Sequence, residues 1–501
     1  MKRKFSLFIS ALLALCLLLG ACADNAPLCA HTDGNDDGIC DGCAVSVLVA
    51  VDFYAVNDLH GKLDDTDSQP GVDELSTYLE RVRETDEHAI FLSSGDMWQG
   101  SAESNMTHGL IVTDWMNELD FVSMTLGNHE FDWDESYMEA NEALAEFPLL
   151  AINVYDRETD ARVPYAEASV TVECGDVTVG IIGAIGDCYS SISPDKVENL
   201  YFKVGDELTA LVKAEALRLR AAGADLIVYS LHDGLGSSKS SVTAVTDGAL
   251  ASYYDAVLSG GYVDLVFEGH THKNYVVRDS YGVYHLQNGG ENKGISHAEV
   301  YVNSVTGSVK VSAAELVSTS VYTTLADHPV VDDLLEKYAA DVSAADRVVG
   351  VNPTRMSSGA LCDLVARLYL EAGEEAWGRE YDIVLGGGYL KSRSPYDLAA
   401  GEVTYGDLQT LFPFDNVLVL CSVRGKDLSA KFFYTSNSAY HVFYGDYGAS
   451  VKKAIDPNAT YYIVVDSYTS TYAPNNLTEI ARLDADLYAR DLLAAYFEGE
   501  K

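Results

Sequence analysis

Between Asn57 and His272 the chain five times places a cluster of Gly, Asp, Asn and His at the end of a short apolar run. This recurrence restricts the fold more than any other feature. The clusters are Asn57-Asp58-Leu59-His60-Gly61, Ser94-Gly95-Asp96-Met97-Trp98-Gln99-Gly100, Leu126-Gly127-Asn128-His129-Glu130-Phe131-Asp132, Leu231-His232-Asp233-Gly234 and Glu268-Gly269-His270-Thr271-His272. Residues 48–56, 89–92, 121–126, 177–185, 226–231 and 263–267 are apolar runs with the length and character of buried strands. Helical stretches separate some of them. In 206–222, Leu208, Leu211, Val212, Glu215 and Leu219 recur at helical spacing, and Gly223 supplies a stop signal. The alternation predicts an α/β fold. Ligand-binding loops in open α/β sheets gather at the carboxyl ends of strands, where all five clusters fall. A lone His after a strand is more often a loop hydrogen-bonder than a ligand, but five such clusters in order point to one site.

At 501 residues the chain is too long for one ordinary core, so two domains are expected. Residues 322–345, with Tyr322, Asp327, His328, Leu334, Leu335 and Tyr338, read as a connecting helix. A second α/β segment runs from about Val348 to the end, and Gly386-Gly387-Gly388 reads as a turn after the strand-like stretch 381–385. No internal repeat and no long low-complexity linker is visible. The balance of 76 acidic against 33 basic residues gives a net charge of −43. That charge opposes binding to polymeric nucleic acid or anionic lipid faces, since counterion release needs clustered Lys and Arg. A small phosphorylated substrate stays compatible if metal ions neutralise it locally. Acidity that merely keeps an extracellular chain soluble is the alternative.

The N-terminus reads as an address. Lys2, Arg3 and Lys4 precede an almost wholly apolar stretch over 5–19, followed by Leu19-Gly20-Ala21-Cys22. This resembles the lipobox of bacterial lipoproteins, which would place a lipid on Cys22 and the chain on the extracellular face of the membrane or in the periplasm. A plain signal peptide or an uncleaved anchor is the alternative. Export permits disulfides, and Cys174 with Cys188 could close one. In the spacer 23–46, Asp33, Asn35, Asp37, the Ile39 carbonyl and Asp41 alternate around Gly38 like the first part of a calcium loop, without the Glu expected at its twelfth position. Cys29, His31, Cys40 and Cys43 offer a soft zinc set in the same stretch. A disulfide knot or a flexible stalk is the bland reading.

Asp, His and Asn together suit borderline divalent metals such as manganese, zinc or iron, whereas calcium takes oxygen alone. One Asp can bridge two ions about 3.5–4 Å apart, the arrangement used in two-metal phosphoryl hydrolysis. The clusters resemble the calcineurin-like metallophosphoesterase motifs, in the version found in the 5′-nucleotidase, UDP-sugar hydrolase and 2′,3′-cyclic nucleotide phosphodiesterase family. The resemblance implies an N-terminal β-sandwich flanked by helices, over 47–321, and a C-terminal α/β nucleotide-recognition domain that with the connecting helix spans 322–501. Carried over by position, Asp58, His60, Asp96 and His272 would hold one ion. Asp96, Asn128, His232 and His270 would hold the other, with Asp96 bridging. His129 would stabilise the transferring phosphoryl group and assist the leaving oxygen, and Asp132 would orient its imidazole. The implied reaction is direct in-line hydrolysis of a nucleotide, giving nucleoside and phosphate outside the cell.

The second half resembles the family more loosely. Leu411-Phe412-Pro413-Phe414-Asp415-Asn416 is similar to the family's Pro-Phe-Gly-Asn string, with Asp415 in place of Gly. By that match Phe414 would stack on the nucleobase and Asn416 would bond its edge. Tyr468 aligns with the second stacking aromatic. Ordinary core packing is the alternative for either ring. The family's Gly-Gly-Gly-Ile-Arg departs here to Gly388-Tyr389-Leu390, so Lys391 or Arg393 would have to supply the missing cation. Arg355 lies near another substrate arginine of the family. Its Gly-Gly-Asp string is replaced by Tyr472-Ala473-Pro474-Asn475-Asn476. Cyclic nucleotides or UDP-sugars are the rival substrates, and a catalytically inactive surface binding protein is the rival class.

Overall fold

The computed structural model describes residues 29–63, 70–86, 88–236, 241–245, 261–428, 441–446, 455–471, 476–483 and 487–499. Residues 1–28, with the Cys22 expected to carry a lipid, and the stretch 472–475 lie outside them. Two six-stranded sheets carry the first half. One runs in the order Val309–Val317, Ile295–Asn303, Leu48–Val56, Ile90–Ser93, Ser123–Thr125, Leu149–Leu150, and its last four strands are parallel. The other runs Tyr275–Arg278, Tyr284–Gln287, Leu265–Glu268, Leu226–His232, Val177–Ile185, Ser169–Cys174, parallel at its centre and antiparallel at both edges. The central strands Ile90–Ser93, Leu226–His232 and Leu265–Glu268 are buried along their whole length, which is why they read as unbroken apolar runs.

The two sheets face each other through their inner side chains. The Phe53 and Phe267 rings lie 6.2 Å apart. Thr125 Oγ1 donates to Ser230 Oγ at 2.7 Å, and Ser230 Oγ in turn donates to the Ser93 carbonyl at 3.2 Å. These buried hydroxyls fix the relative height of three strands whose ends carry the polar clusters. The helix Asp206–Ala222 forms as its spacing predicts, and Gly223 closes it in the left-handed region at φ 108°.

The second half builds a five-stranded sheet in the order His441–Gly445, Ile383–Tyr389, Thr460–Asp466, Leu418–Arg424, Thr478–Arg482. Helix Ser358–Trp377 packs against it, burying Leu361, Val365, Leu368 and Tyr369. One buried cluster extends from Val56 to Leu334, and another from Val349 to Ala494.

Three expectations need correction. The connecting helix is broken into a 3₁₀ turn Thr319–Val321 and helices Val330–Lys337 and Ala339–Val342. Pro329, which lacks an N–H and cannot sit inside a helix, starts the second piece. Gly386, Gly387 and Gly388 lie inside the strand Ile383–Tyr389 and do not turn. Their missing side chains serve close packing: a Cβ on Gly386 would fall 2.2 Å from the Leu370 nitrogen, and one on Gly387 2.1 Å from the Val442 carbonyl. Cys174 and Cys188 are not bridged. They sit beyond opposite ends of the nine-residue strand Val177–Ile185, about 30 Å of extended chain.

The described residues up to Val49, with Asn303–Ser308, form a small separate unit. Its turns are held by carboxylates. Asp33 accepts from the Asp37 and Gly38 amides at 3.1 and 2.7 Å, Asp37 from the Ile39 amide at 2.9 Å, and Asp41 from the Gly34 amide at 2.8 Å.

Candidate metal centre and adjoining cavity

The five clusters converge at the carboxyl ends of the central strands of both sheets. Asp58 follows Leu48–Val56, Asp96 follows Ile90–Ser93, Asn128 and His129 follow Ser123–Thr125, His232 ends Leu226–His232, and His270 and His272 follow Leu265–Glu268. Asp58, His60, Asp96, His270 and His272 all have positive φ, between 50° and 69°. Such backbone costs on the order of 1 kcal/mol or more per residue and concentrates where a side chain must be aimed. The loops also need room. A Cβ on Gly127 would lie 2.3 Å from Asp96 Oδ1, and one on Gly95 2.6 Å from His232 Nδ1.

Two groupings of ligand atoms contain carboxylates, and a third joins Cys188 to His232 and His270. Asp58, His60 and His272 come within 4.8 Å of one another, as do Asp58, Asp96 and His232. His272 Nε2 lies 3.2 Å from Asp58 Oδ1 and 3.2 Å from His60 Nε2. His232 Nε2 lies 3.1 Å from Asp96 Oδ2 and 3.3 Å from Asn128 Oδ1. Asp58, which the family resemblance assigns to one ion only, thus stands beside both groups. His60 Nδ1 is anchored on the Gln99 carbonyl at 2.8 Å and His232 Nδ1 on the Ser94 carbonyl at 2.7 Å, which leaves each Nε2 directed at the cluster.

Electrostatics follow from this crowding. Burial and the facing His272 push His60 down to about 3, and burial with His232 pushes His270 down to about 4, so both are neutral imidazoles with a free lone pair. Burial opposes the charge of His232, yet Asp96 and Asp58 outweigh it and raise this ring to about 10. Asp58 is held down at about 2 because His272 and His232 overcome its desolvation.

His129 stands at the rim. Its Nδ1 lies 2.6 Å from Asp132 Oδ2, and its backbone N–H donates to Asp96 Oδ1 at 2.8 Å. Its Nε2 lies 3.2 Å from Arg393 Nη2. A guanidinium can only donate, so this contact requires neutral imidazole with the proton on Nδ1. Burial and Arg393 lower the His129 pKa, Asp132 and Asp96 raise it, and the net direction is upward.

Beyond His129 opens a cavity of about 290 Å³. Arg393, Phe414, Asn416, Tyr468, Lys391 and Tyr389 line it together with Asn128, His129, Asp132 and His270. The Phe414 ring lies 6.0 Å from that of His129 at an interplanar angle of 29°, with the Arg393 guanidinium 5.6 Å from its centroid. Leu390, where the family keeps its arginine, is a buried wall of the cavity. Arg355 is not brought into this group: it pairs with Asp397 at 2.8 Å, with 73% of its side chain exposed.

Two residues that sequence reasoning did not single out hold this arrangement. Glu130 is buried and accepts from the amides of Asp96, Met97, Trp98 and Gly127 at 2.7–3.2 Å, tying two ligand loops together. It was visible within the Asn-His-Glu-Phe-Asp string, but three of its four partners lie more than thirty residues away. Arg490 pairs with Asp415 and donates to the Pro413 and Phe414 carbonyls at 3.3 and 3.2 Å, fixing the loop that presents Phe414. The replacement of Gly by Asp415 was the only signal for it.

The calcineurin-like phosphoesterase family matches residues 51–274. Endonuclease YhcR of Bacillus subtilis is 25% identical over 483 residues, covering 84% of this chain, which spans only 37% of that protein's length. Protein UshA of Yersinia enterocolitica is 26% identical over 475 residues, covering 83% of this chain and 84% of UshA. The 5′-nucleotidase precursor from Thermus thermophilus superposes with a TM-score of 0.66 at 20% identity, covering 90% of this chain and 97% of that one. Residues 51–274 thus match the calcineurin-like phosphoesterases, and the chain has the two-domain α/β architecture of the solved 5′-nucleotidase.

Proposed function

We propose that this chain is an exported 5′-nucleotidase that releases phosphate from nucleoside monophosphates. The observation that carries this reading is the placement of His129. It adjoins the Asp/His cluster on one side and, on the other, a cavity holding a cation and an aromatic ring in sequence, Arg393 then Phe414. Phosphate at the cluster and a base on Phe414 would match that order.

The donor set fits a pair of borderline divalent ions such as manganese or zinc: two fully buried carboxylates, neutral imidazoles and an amide oxygen converge. Asp58, His60, Asp96 and His272 would hold one ion and Asp96, Asn128, His232 and His270 the other. Bound there, the ions supply Lewis-acid stabilisation of phosphoryl charge and lower the pKa of water. The protein's own groups do the rest. Arg393 swings from His129 Nε2 to the phosphate oxygens, which a fork of N–H donors suits. His129, freed from that donor, takes a proton on Nε2 and passes it to the leaving oxygen, while Asp132 holds Nδ1. Phe414 and Tyr468 stack on the base, and Asn416 bonds its edge.

A catalytic domain over 47–321 and a recognition domain over 322–501 are proposed; the separate buried clusters support two domains, with Tyr322, Val330, Val331 and Leu334 of the connecting segment packed into the first cluster. Residues 1–22 would export the chain and leave Cys22 lipid-anchored at the cell surface. The net charge of −43 favours a small substrate over polymeric nucleic acid.

The test is phosphate release by the manganese-loaded protein from AMP, UMP, UDP-glucose, 2′,3′-cyclic AMP and glycerol phosphate, with Asp96→Asn as control. Release from AMP or UMP, absent with glycerol phosphate and abolished in the variant, supports the reading. Hydrolysis of only cyclic or sugar nucleotides corrects the substrate. No release from any of them, with two ions bound, refutes the nucleotidase assignment and leaves a binding role.

A further inference from the structure

The small N-terminal unit contains a cluster that the phosphoesterase reaction does not use. We propose that Cys29, His31, Cys40 and Cys43 form a closed structural zinc site. Their four ligand atoms all lie within 4.8 Å of one another. Cys29 Sγ is 3.6 Å from Cys40 Sγ, and Cys43 Sγ is 3.5 Å from His31 Nδ1. A tetrahedral zinc with Zn–S near 2.3 Å and Zn–N near 2.0–2.1 Å has S–S edges of about 3.8 Å and S–N edges of about 3.5 Å. The observed separations are those of a tetrahedron's edges. They are far from the roughly 2.05 Å of a disulfide.

The backbone is arranged to present these four groups. Cys40-x-x-Cys43 has the C-x2–4-C spacing common in structural zinc sites, and Cys29-x-His31 supplies a second, closer pair. The second pair sits on a tight turn in which the Ala44 amide donates to the Cys40 carbonyl at 2.8 Å. Gly42 within it passes beside the thiols, where a Cβ would lie 3.1 Å from Cys29 Sγ and 3.8 Å from Cys40 Sγ. The intervening carboxylates, which in sequence suggested calcium, are otherwise engaged. Asp33, Asp37 and Asp41 accept backbone amides, and Asn303 Nδ2 donates to Asp33 Oδ2 at 2.7 Å. They shape the loop between the ligand pairs.

Size supplies the energetic reason. Of the described residues up to Val49, Cys40 and Val47 are the buried apolar ones. A segment this short cannot offset its ordering entropy by burial alone, and units below about 40 residues are usually closed by metal or disulfide. Three thiolates and an imidazole favour zinc over the oxygen-seeking cations of the catalytic cluster. A complete four-protein-ligand shell leaves no open position, so the site would be structural.

The test compares the full chain with Cys43→Ser and His31→Ala, both at exposed positions. After zinc loading and dialysis, elemental analysis should find one zinc per chain fewer in each variant, with phosphate release unchanged as the report on folding. Loading with cobalt(II) should give a thiolate-to-cobalt charge-transfer band in the parent that Cys43→Ser weakens. Cys188, the thiol near His232 and His270, is common to all three proteins and cancels in the comparison. Equal zinc content in parent and variants overturns the proposal. So does a Cys29–Cys40 disulfide in peptides from the purified chain, or an extra ion that is calcium and survives Cys43→Ser.

Discussion

Replacing Arg393 by Ala tests the joint between the catalytic cluster and the substrate cavity. The guanidinium lies 3.2 Å from His129 Nε2 and 5.6 Å from the Phe414 ring centroid, so its removal acts on two groups at once. Charge-assisted hydrogen bonds to a phosphate contribute about 1.5–3 kcal/mol, so kcat/KM for AMP should fall about 10- to 150-fold. Para-nitrophenyl phosphate, which shares only the phosphate, should lose as much as AMP. The pH profile gives a second reading. In the proposed role His129 carries a proton on Nε2, so activity should be lost on the alkaline side as that proton dissociates. Arg393 lowers the pKa of His129, and without it the pKa rises. The alkaline limb of kcat/KM should therefore move to higher pH even as the rate falls. Steady-state kinetics across pH 6–10 with both substrates measures this. A loss below twofold, or an alkaline limb that moves down, would refute the placement of Arg393 on the phosphate beside His129.

Asp132→Asn should move the same limb the other way, toward lower pH, because it removes a charge that raises His129, and kcat should fall more than KM rises. Phe414→Ala should cost AMP about 1–3 kcal/mol, roughly 5- to 150-fold in kcat/KM, and leave para-nitrophenyl phosphate within a few-fold; equal loss on both would make the ring a packing group. Metal uptake should release protons, since His232 is raised to about 10 by Asp96 and Asp58 and must lose its proton to ligate. Apparent affinity between pH 6 and 9 should then rise about tenfold per pH unit per proton released, read by calorimetry in buffers of different ionisation enthalpy. Glu130→Gln should lower stability by at least about 2 kcal/mol, because the amide turns donors toward backbone N–H groups that a carboxylate accepted, and thermal unfolding checks it.

What could be read from the chain depended on how local the physics was. Strands Leu48–Val56 and Val177–Ile185 and helix Asp206–Ala222 begin and end where their apolar periodicity does, because strands buried on both faces and amphipathic helices write their environment into consecutive residues. The clusters around Asp58, Asp96, His129, His232 and His270 were legible for the same reason: each sits directly after the strand that positions it. Glycine runs were not. A Gly-Gly-Gly string is compatible with a turn and equally with a strand on which a helix and a neighbouring strand press, and only the approach of Leu370 and Val442 decides between them. Cysteine spacing misled because Cys174 and Cys188 are fourteen positions apart in sequence, yet a straight strand keeps them at opposite ends.

The substrate side was less legible because its geometry is assembled from distant pieces. Asp415 looked like a defect in a motif, and it became intelligible only with Arg490, seventy-five residues later, bonding both it and the carbonyls around Phe414. The loop that a flexible glycine would leave adaptable is here fixed by a buried ion pair. Likewise Leu390 fills the family's arginine position with an apolar wall while Arg393, three residues on, enters the cavity. These changes leave the ligand cluster intact and alter the distance and rigidity of the groups facing it. Selection among phosphoesters in this chain would then rest on Arg393 and the pinned Phe414 loop, and Asp415→Gly separates the two. Freeing the loop should raise KM for AMP several-fold with kcat for para-nitrophenyl phosphate unchanged, whereas a change in that kcat would mean that the loop also sets the position of His129.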